Sequence, residues 1–404
     1  VLDPLTTLPD GTIKQVNPFT GTKVWTIPRR GARPIGHLGR TPLPIDPADQ
    51  DRRCVFCIGR KLDTTPEIAR LVRSTAPAAA AGWLELRGLL AAELDDTVPE
   101  FRLVPNLFEI LSYDYWHLSH GWEPTPAMEA RRAAYLSTPL GRAHVESLPS
   151  QPTALFAANH QVVIARRHFA DGATDDSQLV GSGQLTPEEH CKYVEFAITA
   201  MRDLYRDNEF ARYVSVFQNW LAPAGASFDH LHKQAVAIDE LSVQTELEAA
   251  RLREERDLYA RWGEAYAAER GLVIARTPSA VAFVGVGHRF PSLEVHSRDA
   301  SRCPWELTPD QVRDVSDLVH ACHAATGVDV PTNEEWHHRP PSLDLPMPLR
   351  VVLKWRISTL AGFEGGTKIY VNTLSPWTVR EGVSTRLREL AAAGALSDSV
   401  QLAD

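Results

Sequence analysis

The sequence predicts an α+β fold made of two related halves, from chain length, a repeated helix-start signal and the β-prone segments around it. At 404 residues the chain is too long for one simple core. Leu185-Thr186-Pro187-Glu188-Glu189 and Leu307-Thr308-Pro309-Asp310-Gln311 each place Thr at an N-cap, Pro at N1 and Glu or Gln at N3. Such a capping box opens a helix of about 15–20 residues, ending near Arg206 in one case and near Ala325 in the other. Each helix has β-prone segments on both sides. Residues 161–165 and 280–286 precede the helices, and residues 213–217 and 349–357 follow them. The charged stretch 240–261 reads as a helix joining the halves, which divides the chain into 1–240 and 241–404. Residues 340–348 read as a proline-rich loop, and the apolar window 78–92 as an ordinary helix.

Composition narrows the function classes. Hydrophobic residues at 44% and charged residues at 23% describe ordinary globular material. A formal net charge of −9 offers no global basic field, so nucleic acid is not an expected partner. Glu85 and Arg87 interrupt the most apolar window, so no membrane span is expected. The opening Val1-Leu2-Asp3-Pro4 lacks the basic and apolar regions of a signal peptide. Of five cysteines, only Cys54 and Cys57 are close in sequence. That is no disulfide framework, and the expected location is a reducing cytoplasm.

The most informative stretch is His230-Leu231-His232-Lys233-Gln234, an H-x-H-x-Q run. In an extended chain, side chains two apart share a face. His230, His232 and Gln234 would then line one surface, with Asp229, Leu231 and Lys233 on the other. On such a face one imidazole can be a ligand or orienter, the other can attack, and the amide can bond the oxygens of what is attacked. Two surface histidines near a turn are the plain alternative. The preceding loop, Ala222-Pro223-Ala224-Gly225-Ala226-Ser227, would let backbone N–H groups approach an anion closely, or serve only as a turn.

Cys54-Val55-Phe56-Cys57, followed by Gly59, is a C-x-x-C at a tight turn. Two such thiolates can chelate one zinc at about 2.3 Å. Two further ligands are then needed, and His168 and His230 are the candidates. A redox role needs a βαβ context not seen here, and a coincidental pair of thiols stays open. Arg29, Arg30 and Arg33 flank Gly31-Ala32. They could grip phosphate oxygens through guanidinium forks, or form a solvated basic turn.

Together these motifs resemble the galactose-1-phosphate uridylyltransferase family of the histidine-triad superfamily, including its relatives that phosphorolyse ADP-glucose. Asn17-Pro18-Phe19-Thr20-Gly21 through Arg30-Gly31-Ala32-Arg33-Pro34 resembles the family's N-P-L-T-G…R-x-x-R-P opening. Cys54 to Gly59 with Thr65-Pro66-Glu67 resembles its C-P-F-C-P-G…T-P-P-E. Val104-Pro105-Asn106-Leu107-Phe108 resembles V-x-N-x-F. Phe217-Gln218-Asn219 and the Gly225 loop then lead into H-x-H-x-Q, and Ala361-Gly362-Phe363-Glu364 with Gly366-Thr367 resembles A-G-F-E-x-G-T. The motifs occur in the family's order over roughly residues 15–380.

The resemblance implies two histidine-triad-like halves, each an antiparallel sheet with packed helices. It also implies a homodimer that moves a nucleoside monophosphate from a nucleotide-sugar-like donor to a phosphorylated acceptor or to phosphate. His232 would be the nucleophile, forming a nucleotidyl-histidine, and Gln234 and Ser227 would bond the phosphate oxygens. Asn106, Asn219 and Gly225 would hold the nucleotide and its phosphate. Arg30 and Arg33 would hold the diphosphate, in the family across the dimer interface. Cys54, Cys57, His168 and His230 would form a closed structural zinc site, with iron as the alternative ion. The other readings are a phosphorylase or hydrolase of the same superfamily, and a zinc-stabilised nucleotide-binding protein without turnover.

The sequence departs from the family at three places. The segment from His160 to His168 is one residue short. Pro348-Leu349-Arg350 replaces a second H-x-H, so no second metal site is expected there, and His337 and His338 read as loop histidines. Phe228-Asp229 and Leu231 replace Asn-Pro and Pro, which alters the entry to the strand and perturbs the acceptor pocket.

Overall fold

A computed structural model describes residues 3–28, 41–74, 82–147 and 158–404. In chain order its strands are β1 (Leu5–Thr7), β2 (Ile13–Val16), β3 (Lys23–Thr26), β4 (Ala69–Arg73), β5 (Trp83–Arg87), β6 (Pro99–Pro105), β7 (His160–Ala165) and β8 (Tyr213–Trp220). There follow β9 (His232–Ile238), β10 (Val273–Arg276), β11 (Ala280–Val284), β12 (Ser292–Ser297), β13 (Thr332–His337), β14 (Arg350–Trp355), β15 (Ile369–Asn372) and β16 (Gln401–Leu402).

Both Thr-Pro signals start helices, Pro187–Asp207 and Pro309–Thr326. At the first, the Thr186 N–H donates to the Glu189 carboxylate at 2.9 Å and the Glu189 N–H donates to the Thr186 hydroxyl at 3.2 Å. Thr308 and Gln311 repeat this exchange at 2.9 and 3.3 Å. The two helices pack on each other and on one face of a twelve-stranded sheet.

The sheet runs β16-β10-β11-β12-β14-β13-β8-β9-β7-β6-β4-β5, every pair antiparallel. Its centre is the β8–β13 pair, where Thr332 lies opposite Trp220 and Glu335 opposite Phe217. From that seam outward each half repeats one plan. A hairpin follows the helix (β8–β9, β13–β14), and its second strand pairs with the strand preceding the helix (β7, β12). β1, β2 and β3 form a separate four-stranded sheet with β15, which runs parallel to β3.

Several expected elements differ in the structure. The strand directly after the second helix is β13, not residues 349–357; β14 there is the counterpart of β9. β12 likewise stands between β11 and the second helix, as β7 stands before the first. His337 ends β13, and His338 beside it is buried, stacked on Tyr213 at 4.7 Å. His337 is therefore a strand residue, and His338, in the loop that follows, is a buried one. Within the window read as a helix, Trp83–Arg87 is the edge strand β5. Its Trp-Leu-Glu-Leu-Arg alternation has the period of a strand, and charged residues on an edge discourage pairing with another chain. The joining helix is shorter than expected, Val243–Glu254, and Ser242 caps it through the Thr245 N–H at 3.0 Å.

Under the seam, on the helix side, lies a buried polar group drawn from both halves. Lys233 Nζ donates to Glu334 Oε1 at 2.6 Å and to Gln218 Oε1 at 3.0 Å. Glu334 also accepts from Trp336 Nε1 at 2.6 Å and lies 2.6 Å from His323 Nε2. Lys233 sits over the Tyr193 ring, 4.7 Å from its centroid. Both partners of the ion pair are 0% exposed, so neither charge can be left to water. Removing one partner of a buried pair typically costs about 3–5 kcal/mol. Lys233→Met and Glu334→Leu should each lose about that much in denaturant unfolding, and the double variant should lose clearly less than the sum. A strictly additive result would show that the two side chains do not act as a pair.

Candidate active site beside a four-ligand cluster

β9 begins at His232, and its alternation sets the faces of the site. Gln234 lies opposite Phe217 of β8 and Val162 of β7, and His232 opposite Ile164. His232 and Gln234 thus share the face away from the helices, while Lys233 points into the polar group beneath. His230 and Leu231 precede the strand rather than belonging to it. The chain reaches them through a tight loop. Leu221 has φ +66° and Gly225 φ +90°, at either end of the short turn Ala222–Ala224. A non-glycine residue in the left-handed region costs about 1–3 kcal/mol, and such strain concentrates at functional sites. At Gly225 the positive φ requires glycine, beside the Asn219 amide. Ser227 lies exposed in the same loop.

The loop turns His230 toward the cysteines. Cys54 Sγ is 3.7 Å from Cys57 Sγ, 3.7 Å from His168 Nδ1 and 3.4 Å from His230 Nδ1. Cys57 Sγ is 3.3 Å from His168 Nδ1 and 3.8 Å from His230 Nδ1. Four tetrahedral ligands at about 2.0–2.3 Å from one ion stand roughly 3.3–3.8 Å apart, so these five spacings fit such an ion, and all four ligand atoms lie within 4.8 Å of one another. His230 Nε2 donates to the Ala165 carbonyl at 2.7 Å, which leaves the Nδ1 lone pair facing the sulfurs. The Cys54 turn closes through the Cys57 N–H donating to the Cys54 carbonyl at 3.1 Å. A Cβ on Gly59 would stand 2.8 Å from the Asp51 carbonyl, so close backbone approach, not φ, excludes a side chain there.

His232 adjoins this cluster. Its Nδ1 donates to the His230 carbonyl at 2.7 Å, which fixes the tautomer and leaves Nε2 as the bare nitrogen. Burial pushes its pKa down to about 4, so the ring is neutral near pH 7. Phe56, between the two cysteines in sequence, packs on the ring with centroids 5.1 Å apart, and Arg102 holds the Phe56 carbonyl at 2.7 Å.

Gln234 is oriented by a residue that sequence reasoning did not select. His160, the first residue of β7, donates from Nε2 to Gln234 Oε1 at 2.9 Å, turning the Gln234 amide N–H groups outward as donors. Burial holds His160 down to about 4 as well, opposed in part by that hydrogen bond. Asn106 Nδ2 lies 3.1 Å from the same imidazole nitrogen. Asn219 accepts from Asn333 of the second half at 2.6 Å, a partner no local pattern could indicate. Only the position of His160 at the head of an apolar strand could have flagged it.

The structure therefore brings together Cys54, Cys57, His168 and His230, with His232 adjoining them; Gln234 and Asn106 meet at His160 farther along the sheet, and Asn219, Gly225 and Ser227 lie on or after the neighbouring strand. Arg30 and Arg33 lie outside the described residues. At the place of the absent second H-x-H, Arg350 is buried and ion-paired with Glu248, whose carboxylate also accepts from the Tyr259 hydroxyl at 2.6 Å.

A crystal structure of an ADP-glucose phosphorylase from Arabidopsis thaliana with bound ADP-glucose superposes with a TM-score of 0.59 at 19% identity, covering 94% of this chain and 98% of that one. A GalT-like protein from Arabidopsis thaliana superposes with a TM-score of 0.56 at 18% identity, covering 93% and 98%. Identities this low establish the fold, and it is the galactose-1-phosphate uridylyltransferase-like fold that the order of motifs implies. No curated protein sequence matches. A family profile described as "Domain of unknown function (DUF4921)" matches residues 8–151 and 146–404. By that match, the chain belongs to the DUF4921 family and has a GalT-like fold.

Proposed function

We propose that this protein is a nucleotidyltransferase working through a nucleotidyl-histidine on His232, with 1–240 and 241–404 as its two histidine-triad-like units. The observation that carries the reading is the His232 ring itself. It is buried and neutral, pinned through Nδ1 to the His230 carbonyl, and leaves Nε2 on the face that Gln234 shares. In the first step Nε2 attacks the α-phosphorus of a nucleotide-sugar-like donor, and the bond to the bridging oxygen breaks, releasing the sugar phosphate. In the second, a phosphate oxygen of the acceptor attacks the same phosphorus and the P–N bond breaks, returning its electron pair to Nε2. The Gln234 N–H groups, Ser227 and the Gly225 loop bond the phosphoryl oxygens as charge shifts. Asn106 and Asn219 hold the nucleotide, and Arg30 and Arg33 the diphosphate.

Cys54, Cys57, His168 and His230 would hold zinc, with iron as the alternative, and a closed four-ligand site supplies rigidity, not substrate polarisation. A second reading, with inorganic phosphate as acceptor, is favoured by the likeness to an ADP-glucose phosphorylase with bound ADP-glucose. No helix among the described residues is long and apolar enough to cross a membrane. None of the five cysteines is in a disulfide, and a cytoplasmic location is part of the reading. A homodimer completes the reading.

His232→Gly should lower nucleotide exchange between donor and acceptor by at least ~10³-fold while donor affinity stays within about threefold. Near-normal exchange in that variant would end the covalent mechanism. Elemental analysis should find one zinc or iron per chain, reduced in His168→Ala. Because such an ion contributes to folding, chelation should lower the melting temperature before it slows exchange. Ion-free protein with an unchanged melting temperature would remove the metal from the account.

A further inference from the structure

A cleft of about 500 Å³ opens on the seam between the halves, within the usual range for small-molecule sites. It lies on the His232 side of the sheet. Phe217, which lines it, is the residue opposite Gln234 on the neighbouring strand. Its floor is joined to the proposed nucleotide site by a hydrogen-bonded chain. Arg356 donates to Asn333 Oδ1 at 2.6 Å. Asn333 in turn donates to Asn219 at 2.6 Å and to the Ala224 carbonyl at 2.8 Å.

The lining matches a polyhydroxylated ligand. Amides and a hydroxyl come from Asn219, Gln244 and Ser215, and flat apolar surface from Phe217, while the Asn333 amide is taken up within the floor. Charge at the far end is unbalanced. The one carboxylate of the lining, Glu335, is taken up by Lys354 at 2.5 Å, with His337 at 3.7 Å. Arg356 has no carboxylate within 4 Å among the described residues, and its Nε is buried without a partner. Arg289 is in the same condition, and both guanidinium groups lie 4.8 Å from the Phe290 ring centroid. Burial and the Arg289 charge act against the Arg356 charge and the Glu335 carboxylate offsets them only in part, so a further anion there would relieve an existing cost. From β9 to β13 is two strand spacings, about 10 Å, close to the length of a hexose with its phosphate.

We propose that this cleft receives the sugar-like portion of donor and acceptor, and that this portion is acidic, its second anionic group gripped by Arg356 with Arg289 behind it. The proposal rests on the nucleotidyl-transfer reading for its orientation, with the reacting phosphate at His232 and the second anion at the opposite end. It names the substrate class as an acidic sugar phosphate, the second anion being a carboxylate or a further phosphate.

The test is calorimetric binding to the full chain, which needs no turnover. Glucose 1-phosphate, glucuronic acid 1-phosphate and glucose 1,6-bisphosphate serve as probes. At least one of the two acidic probes should bind about tenfold or more tightly than glucose 1-phosphate, the effect of one charge-assisted hydrogen bond. Whichever probe it is identifies the second anion. Arg356→Gln should reduce that preference to within about twofold, and Arg356→Lys should restore it in part. The melting temperature of each variant verifies that it is folded. Equal binding of all three probes by the wild type, or a preference that survives Arg356→Gln, would overturn the proposal. The nucleotidyl-transfer reading fails separately: a preference that Arg356→Gln abolishes, in a protein that labels with no donor, would leave the cleft assignment standing and remove the covalent step.

Discussion

The buried pairing of Lys233 with Glu334 is the interaction on which the rest of the site depends. Lys233 sits between His232 and Gln234 in sequence, so whatever holds its side chain also holds the register of the strand that carries both. A one-residue slip of β9 would turn His232 and Gln234 toward the helices and Lys233 toward substrate. Such a slip would strand Glu334, which is wholly buried and also bonded to His323 and Trp336. Desolvating two charges is expensive, and the pair is favourable only because every partner is in place. The same pairing joins the halves, since Glu334 lies on β13 and Lys233 on β9. The face of one half that carries His232 and Gln234 is therefore aligned by a residue of the other.

Rigidity reaches His232 from two further directions. The His230 carbonyl fixes the His232 tautomer, and His230 is itself fixed by the Ala165 carbonyl and the cluster with Cys54, Cys57 and His168. An ion in that cluster would tie the loop after β8 to the turn before β4, bringing Phe56 onto the His232 ring. His160 then sets Gln234 from β7. On the proposed mechanism, the attacking nitrogen and the donor amide would be positioned before substrate arrives, leaving little reorganisation for the reacting complex.

What the sequence made legible was local. Thr186 with Glu189 and Thr308 with Gln311 announced both major helices, because a capping box uses residues only three apart. The period-2 reading of H-x-H-x-Q placed His232 and Gln234 on one face. The Cys54–Cys57 spacing with His168 and His230 foresaw a group that the fold does bring together, despite the short segment after His160. What escaped was non-local or went against composition. β13, Thr-Asn-Glu-Glu-Trp-His, is too polar to read as a central strand, since its buried Glu334 is balanced only by a lysine a hundred residues away. β5 was hidden by an alanine-rich approach that suggested a helix. His160, Asn333 and Arg356 gain meaning only once the sheet places them beside Gln234, Asn219 and the seam.

The central claim is that His232 Nε2 becomes covalently bonded to a nucleotide, and intact-protein mass measurement after brief exposure to a panel of nucleotide sugars and dinucleotides tests it most directly. The account predicts an added mass of one nucleoside monophosphate with at least one donor. The adduct should be acid-labile, as a phosphorus–nitrogen bond is, and should localise to His232 on fragmentation. Exchange activity with no adduct, or an adduct on any other residue, would contradict it.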